Sequence, residues 1–376
     1  MALPRSKYVL EGQEGVYHCF SRCVRRAFLC GFDTLTGRDF SHRKALLVER
    51  LRYLAAVFAI EVCAYSVMAN HYHVILRTRP DIVALWSDRE VATRWLTLFP
   101  RHRNIGGTLT QPAESEIQAL ADCPERIAQL RQRLSSLSWF MGRLNEFIAR
   151  AANKEDRVKG RFWESRFKCQ ALLDEAAIAA CMAYVDLNPV RAGKATTPEE
   201  SDFTSIQERI RAWQKETMTA AAASPETTAH GSQPASISEI MTMSGSAPQF
   251  EDDFFRMSNS PDDPARWLCP IQSDSERRGI LPMTAAEYLD LVDKSGRMIR
   301  TGKQGAINHD LVPILLRIGA NPDGWSETIT RFGSNFRLAA GLLDNLRKFA
   351  DKIGRRWLTG AAAARAAFLS QSPQSA

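Results

Sequence analysis

The stretch Met68-Ala-Asn-His-Tyr-His-Val-Ile-Leu76 decides how the rest of the chain is read. Its second half is apolar, a second apolar run precedes it at Val62 to Val67, and the Met-Ala-Asn between them reads as the join of two adjacent strands. Residues i and i+2 of a strand share a face, so His71 and His73 point the same way and Tyr72 points oppositely. Two neutral imidazoles side by side on a rigid, half-buried surface suit a divalent metal if a third donor comes near. The same pair can equally be two hydrogen-bonded histidines, and the motif alone leaves both readings open.

Upstream, Gly15 to Cys23 reads as a first strand. His42 to Glu61 carries Leu46, Leu47, Leu51, Leu54, Ala55 and Phe58 at the spacing of a helix with one buried face. Downstream, Ser87 and Glu90 form a capping box for a helix running toward Pro100. After a break at Gly106 to Pro112 comes a long helical region with Leu137, Phe140, Met141, Leu144 and Ile148 on one side. A basic loop from Gly160 enters a short strand ending at Leu173. Asp174 then caps a helix expected to reach Asn188-Pro189, which would put Tyr184 and Asn188 one turn apart on one helix face. The order strand, helix, strand, strand, helix, strand, helix is a split βαβ arrangement. The expected fold class is α+β, an antiparallel sheet with helices on one face.

Residues 1–212 are expected to form this unit, with an extended helical insertion at about 80–131. Between 213 and 264 the composition shifts to Ala, Ser, Thr, Pro and Met, which predicts a flexible low-complexity linker. Thr284 and Glu287 make another capping box, and helical patterns recur to Trp357, so residues 265–376 are expected to be a small helical C-terminal domain.

The 376 residues carry 49 Lys and Arg against 42 Asp and Glu, a formal charge of +7 that favours a polyanionic partner. The chain has neither an apolar N-terminal leader nor a run of 18 apolar residues, so the expectation is a cytoplasmic protein without membrane insertion. Eight scattered cysteines without a Cys-x-x-Cys pair fit reduced thiols. Cys19 and Cys23, four apart on a strand, would lie about 13 Å from each other, too far to share a tetrahedral zinc.

Three segments in order carry a resemblance: Asn-His-Tyr-His at 70–73, Gly-Arg-Phe-Trp-Glu-Ser-Arg-Phe at 160–167, and Tyr-Val-Asp-Leu-Asn-Pro-Val-Arg-Ala-Gly at 184–193. Over roughly residues 10–212 the chain resembles the single-tyrosine HUH transposases of the insertion-sequence-200-like type, nearest the REP-associated tyrosine transposases. The resemblance implies a ferredoxin-like HUH fold, a Mg²⁺ or Mn²⁺ ion, and cleavage of single-stranded DNA beside a hairpin through a 5′-phosphotyrosine. By position it makes His71, His73 and Asn188 the metal ligands and Tyr184 the nucleophile, with Tyr72 in the U position. The stretch from Pro80 to Arg131 is longer than compact members need, and the C-terminal third has no counterpart in them.

Between Arg143 and Lys168 stand eight basic residues (Arg143, Arg150, Lys154, Arg157, Lys159, Arg161, Arg166, Lys168) and four acidic ones, with Phe162, Trp163 and Phe167 interleaved. Cations that hold phosphates and rings that stack on bases are the combination of single-strand binders. Arg22, Arg25 and Arg26 would extend that surface. Single-stranded DNA is therefore the expected partner, the resemblance adds hairpin DNA, and a homodimer remains open. Two rival readings stand beside the transposase: a domesticated protein that binds hairpins or repeats without cutting, and a metallohydrolase that uses water and keeps Tyr184 as a structural residue.

Overall fold

The computed structural model describes residues 4–24, 29–33, 37–100, 112–222, 265–300 and 312–369. Five strands, β1 (Gly15–Arg22), β2 (Ile60–Val67), β3 (His71–Thr78), β4 (Lys168–Leu172) and β5 (Ala339–Ala340), build one sheet in the order β2-β3-β1-β4-β5. β1 runs antiparallel to both β3 and β4, and β2 antiparallel to β3, whereas β5 is parallel to β4. A short ribbon pairs Phe32–Asp33 with Arg38–Asp39.

Fourteen helices accompany the sheet among the described residues: α1 (His42–Val57), α2 (Pro80–Leu85), α3 (Asp88–Leu98), α4 (Glu114–Ala121), α5 (Pro124–Leu134), α6 (Leu137–Glu155), α7 (Glu175–Asp186), α8 (Asn188–Arg191), α9 (Ser205–Ala222), α10 (Ala285–Arg300), α11 (Val312–Arg317), α12 (Trp325–Asn335), α13 (Leu343–Lys352) and α14 (Ala361–Ala367). Several starts are set by the side chains that the sequence points to. Ser87 Oγ accepts from Glu90 N at 3.1 Å, and Asp174 Oδ1 accepts from Ala177 N at 3.0 Å. Thr284 and Glu287 bond each other's backbone N–H groups at 2.8 and 3.1 Å. Each such cap satisfies an N–H that the helix itself leaves without a partner.

The expectation of helices on one face is corrected. Register pairs Arg22 with His71, Phe20 with His73 and Gln170 with His18, so these six side chains share one face of the sheet. Tyr72 and Ser21 emerge on the other, where Tyr72 Oη donates to Asn145 Oδ1 at 2.6 Å and Asn145 Nδ2 donates to Ser21 Oγ at 3.1 Å. Asn145 belongs to α6, against which α1 packs, so α1 and α6 cover the Tyr72 face. The histidine face is covered by α7. The physical reason is visible in the strands: β2 and β3 are buried at seven of their eight positions each, where a sheet wet on one side would alternate.

The described residues of the C-terminal third pack against those that precede them. One apolar core runs from Tyr8 to Phe368. Cys269 N donates to Val62 O at 2.8 Å, and Arg77 Nη1 donates to Gly279 O at 2.8 Å. β5 lengthens the sheet, and α12 packs along α7. The stretch 213–264 is helical as far as Ala222 in α9; the rest of the expected linker lies outside the described residues. Among the described residues no helix is long and apolar enough to cross a membrane.

Candidate active site

β1, β3 and β4 bring His18, His73, His71 and Gln170 onto one face, and α7 lowers Tyr184 onto it. The ring of Tyr184 stands 5.7 Å from that of His73 and 6.0 Å from that of His18, edge-on to both. His71 and His73 are 5.1 Å apart, also edge-on. His18 Nε2 and His73 Nδ1 share a hydrogen bond of 2.8 Å, His18 Nδ1 meets Gln170 Oε1 at 3.2 Å, and His71 Nδ1 meets Asn70 Oδ1 at 2.6 Å. His73 and His18 are buried, and His71 and Tyr184 half-buried.

Burial holds these imidazoles neutral. Loss of solvent pushes His18 down to about 4, the bond to Gln170 opposing it only in part. His71 falls to about 4, from burial first and then the charge of Arg22. His73 is driven well below the ordinary histidine value by burial, then by its histidine neighbours and by Arg191 and Arg22. A neutral imidazole carries the lone pair that a metal requires.

Asn188 is buried, and its Nδ2 has no hydrogen-bond partner. It does not continue the helix of Tyr184 as expected: α7 ends at Asp186, Leu187 makes the break, and Asn188 opens α8. Pro189 is the cause, because it has no N–H to donate back to the preceding turn. Among the described residues no three His, Cys, Asp or Glu side chains converge into a metal-binding group. The donors that strand register brings together on this face are the imidazoles of His71 and His73. Neutral imidazole nitrogens, with an amide oxygen such as that of Asn188 as the expected third donor, are of the chemistry that suits a divalent cation.

Two of the aromatics expected to stack on DNA are buried instead of presented at the surface. Phe162 is 2% exposed and Trp163 9% exposed. They pack edge to face, and Trp163 Nε1 donates to the Asn145 carbonyl at 2.9 Å. Phe167 is buried too, under the guanidinium of Arg5. The loop pays out its rings into the core because Trp163 bridges Cys23 at the sheet margin. Of the expected basic residues, Arg22, Arg150, Lys154, Lys159, Arg161, Arg166 and Lys168 are exposed. Arg143 is half-buried, paired with Glu146 and stacked over Phe99 at 5.2 Å. Arg25 and Arg26 lie outside the described residues.

Four residues beyond those expectations line the site. Phe20, half-buried, has its ring 5.4 Å from both His18 and His73, with Lys168 Nζ at 5.5 Å over it. Arg191 lays its guanidinium 4.3 Å above the ring of Tyr184, and its Nε and Nη1 are buried without a hydrogen-bond partner. His18 and Gln170 complete the set. The alternation Tyr17-His18-Cys19-Phe20 carried a signal for His18 and Phe20, which share a face as His71 and His73 do. Only strand register says that the two faces coincide.

Asp186, two residues past Tyr184, is fully buried and accepts from Ser205 Oγ (2.5 Å), Ile206 N (3.2 Å) and Tyr288 Oη (2.6 Å). Burial outweighs these bonds and raises its carboxyl to about 6. It ties α7 to α9 and α10.

No family model matches the chain, and no curated protein matches it. A solved structure of a REP-associated tyrosine transposase bound to a REP hairpin is similar over 63% of this chain and 100% of its own, at 13% identity and a TM-score of 0.33.

Proposed function

We propose that the chain is a transposase-like enzyme that cuts and rejoins single-stranded hairpin DNA through a phosphotyrosine at Tyr184. One observation carries the reading: a phenol, a guanidinium with unused donors and a histidine pair meet on one face of the sheet, with Tyr184 and His73 5.7 Å apart. The run β1-α1-β2-β3-α6-β4, with α1 and α6 on the same face, supports the ferredoxin-like HUH core that the sequence motifs imply.

The scissile phosphate would lie between Tyr184 and the histidines. Arg191 would direct Nε and Nη1 at its non-bridging oxygens, a charge-assisted pairing that also fixes the phosphorus in line with the phenol. The Tyr184 oxygen forms a bond to phosphorus as the P–O3′ bond breaks; the phenol proton passes to water, and the departing 3′ oxygen takes one up. Ester energy is conserved, so another 3′-OH can reverse the step and join strands. His71, His73 and Asn188 would hold Mg²⁺ or Mn²⁺, which when bound offsets charge on the phosphate, and the two imidazoles suit Mn²⁺ better. Arg22 and Lys168, at the margin of the same face, would receive flanking phosphates, and Phe20 offers the half-exposed ring on which a base could stack.

A second reading, hairpin binding without cleavage, is favoured by the packing of α12 against the Tyr184 hydroxyl at Gly333. Incubation with single-stranded hairpin oligonucleotides and Mn²⁺ separates the two. Cleavage predicts a denaturant-resistant protein–DNA adduct that disappears in Tyr184→Phe and in EDTA. Binding without any adduct would establish the second reading, and an adduct surviving Tyr184→Phe would reassign the nucleophile.

A further inference from the structure

We infer that Gln170 and His18 are positioning residues that select the tautomer of His73, leaving its Nε2 lone pair free toward the site. The inference rests on the reading of His73 as a ligand, and it follows from proton counting along three adjacent strands.

Gln170 on β4 lies opposite His18 on β1, and His18 lies diagonal to His73 on β3. The three side chains are 2%, 1% and 5% exposed, so water does not compete for their bonds. Gln170 turns Oε1 to His18 Nδ1 at 3.2 Å, and a carbonyl oxygen only accepts, so His18 Nδ1 carries the proton. A neutral imidazole has one N–H. His18 Nε2 is therefore an acceptor, and the 2.8 Å bond to His73 Nδ1 requires that His73 donate from Nδ1. The remaining nitrogen of His73, Nε2, is left unprotonated. His71 reaches the same state separately, since Asn70 Oδ1 accepts from its Nδ1 at 2.6 Å. Both histidines thus have Nδ1 bonded within the protein, the arrangement by which outer residues orient ligating imidazoles.

Direction depends on one amide. With Gln170 turned over, its Nε2 would donate to His18, every proton in the chain would shift one place, and His73 Nε2 would carry a hydrogen and lose its capacity to ligate. An ionised glutamate at position 170 only accepts and preserves the direction; leucine removes it.

Long-range ¹H–¹⁵N spectra of metal-free, ¹⁵N-histidine-labelled protein read the tautomer directly, with the His73 signals assigned by their loss in His73→Ala. The expected result is a protonated Nδ1 and a pyridine-type Nε2 for His73 in the native chain and in Gln170→Glu. Gln170→Leu should give a tautomer mixture and weaken Mn²⁺ binding, measured by calorimetry, about 10- to 100-fold. His18→Phe should do the same, and should it fail to fold, the Gln170 pair decides alone. A protonated Nε2 in the native chain, or a tautomer and Mn²⁺ affinity unmoved by Gln170→Leu, overturns the inference. A native protein that binds no Mn²⁺ would instead sink the ligand reading of His73, with the spectra still deciding the relay.

Discussion

The phenol oxygen of Tyr184 lies so close to Gly333 on α12 that a β-carbon at that glycine would stand 2.8 Å from it. Phe332, the neighbouring residue, packs its ring 6.0 Å from that of Tyr184. A segment almost 150 positions further along the chain thus forms one wall around the proposed nucleophile.

Gly333→Ala should push the phenol or α12 aside. Displacements near 1 Å cost a reaction of this kind about 100-fold. We expect the rate of adduct formation to fall 10- to 100-fold with the folded spectrum retained. A faster reaction would show that α12 occludes the hydroxyl rather than placing it.

Arg191→Ala should slow adduct formation by about 100-fold, the scale of removing one charge-stabilising donor group. Arg191→Lys should recover only part, because an ammonium cannot present the paired N–H fork. Single-turnover rates against oligonucleotide affinity in the Tyr184→Phe background separate a chemical role from simple binding.

Asp174 serves two parts of the chain at once. Oδ1 caps α7, and Oδ2 accepts from Leu342 N at 2.6 Å and Asn345 Nδ2 at 3.0 Å. Asp174→Ala should cost about 2–4 kcal/mol, combining a lost cap with a backbone N–H left without its acceptor. Urea unfolding measures it, and Asp174→Asn should restore part.

In metal-free protein, acid should destabilise the fold between pH 6.5 and about 4. His18 titrates near 6.5 when unfolded and at about 4 when folded, so across that window the unfolded chain binds a proton that the native one refuses. Stability is complete above 6.5 and declines as pH falls, by about 3 kcal/mol from this residue. Denaturant midpoints across the range should show a shallower decline in His18→Phe.

If the chain is cut between residues 222 and 265, the two pieces should stay together. Cys269 N to Val62 O, Tyr288 Oη to Asp186 and β5 on β4 hold them together through buried contacts. Co-elution on gel filtration after cutting is the expected result; two independently eluting fragments would contradict it.

Helix starts and the shared face of the two histidines were legible in the chain. Ser87, Asp174 and Thr284 announce their helices because a cap acts within three residues of itself. His71 and His73 share a face because strand alternation is local. The burial of Phe162 and Trp163 was not legible, since a ring beside arginines reads alike whether it meets a base or Tyr72. Covering of both sheet faces was hinted by the short apolar runs Val62–Tyr65 in β2 and Val74–Leu76 in β3, a signal that the split βαβ pattern overrode.

By itself the sequence determined which residues could do chemistry and which neighbours share a face, because short-range periodicity and capping depend on few residues. Only the tertiary structure decided that Gln170, His18 and His73 form one line, that Arg191 roofs Tyr184, and that Gly333 touches its hydroxyl. Those contacts join strands and helices distant in the chain, and their energies exist only once the sheet register and the docking of the C-terminal helices are set.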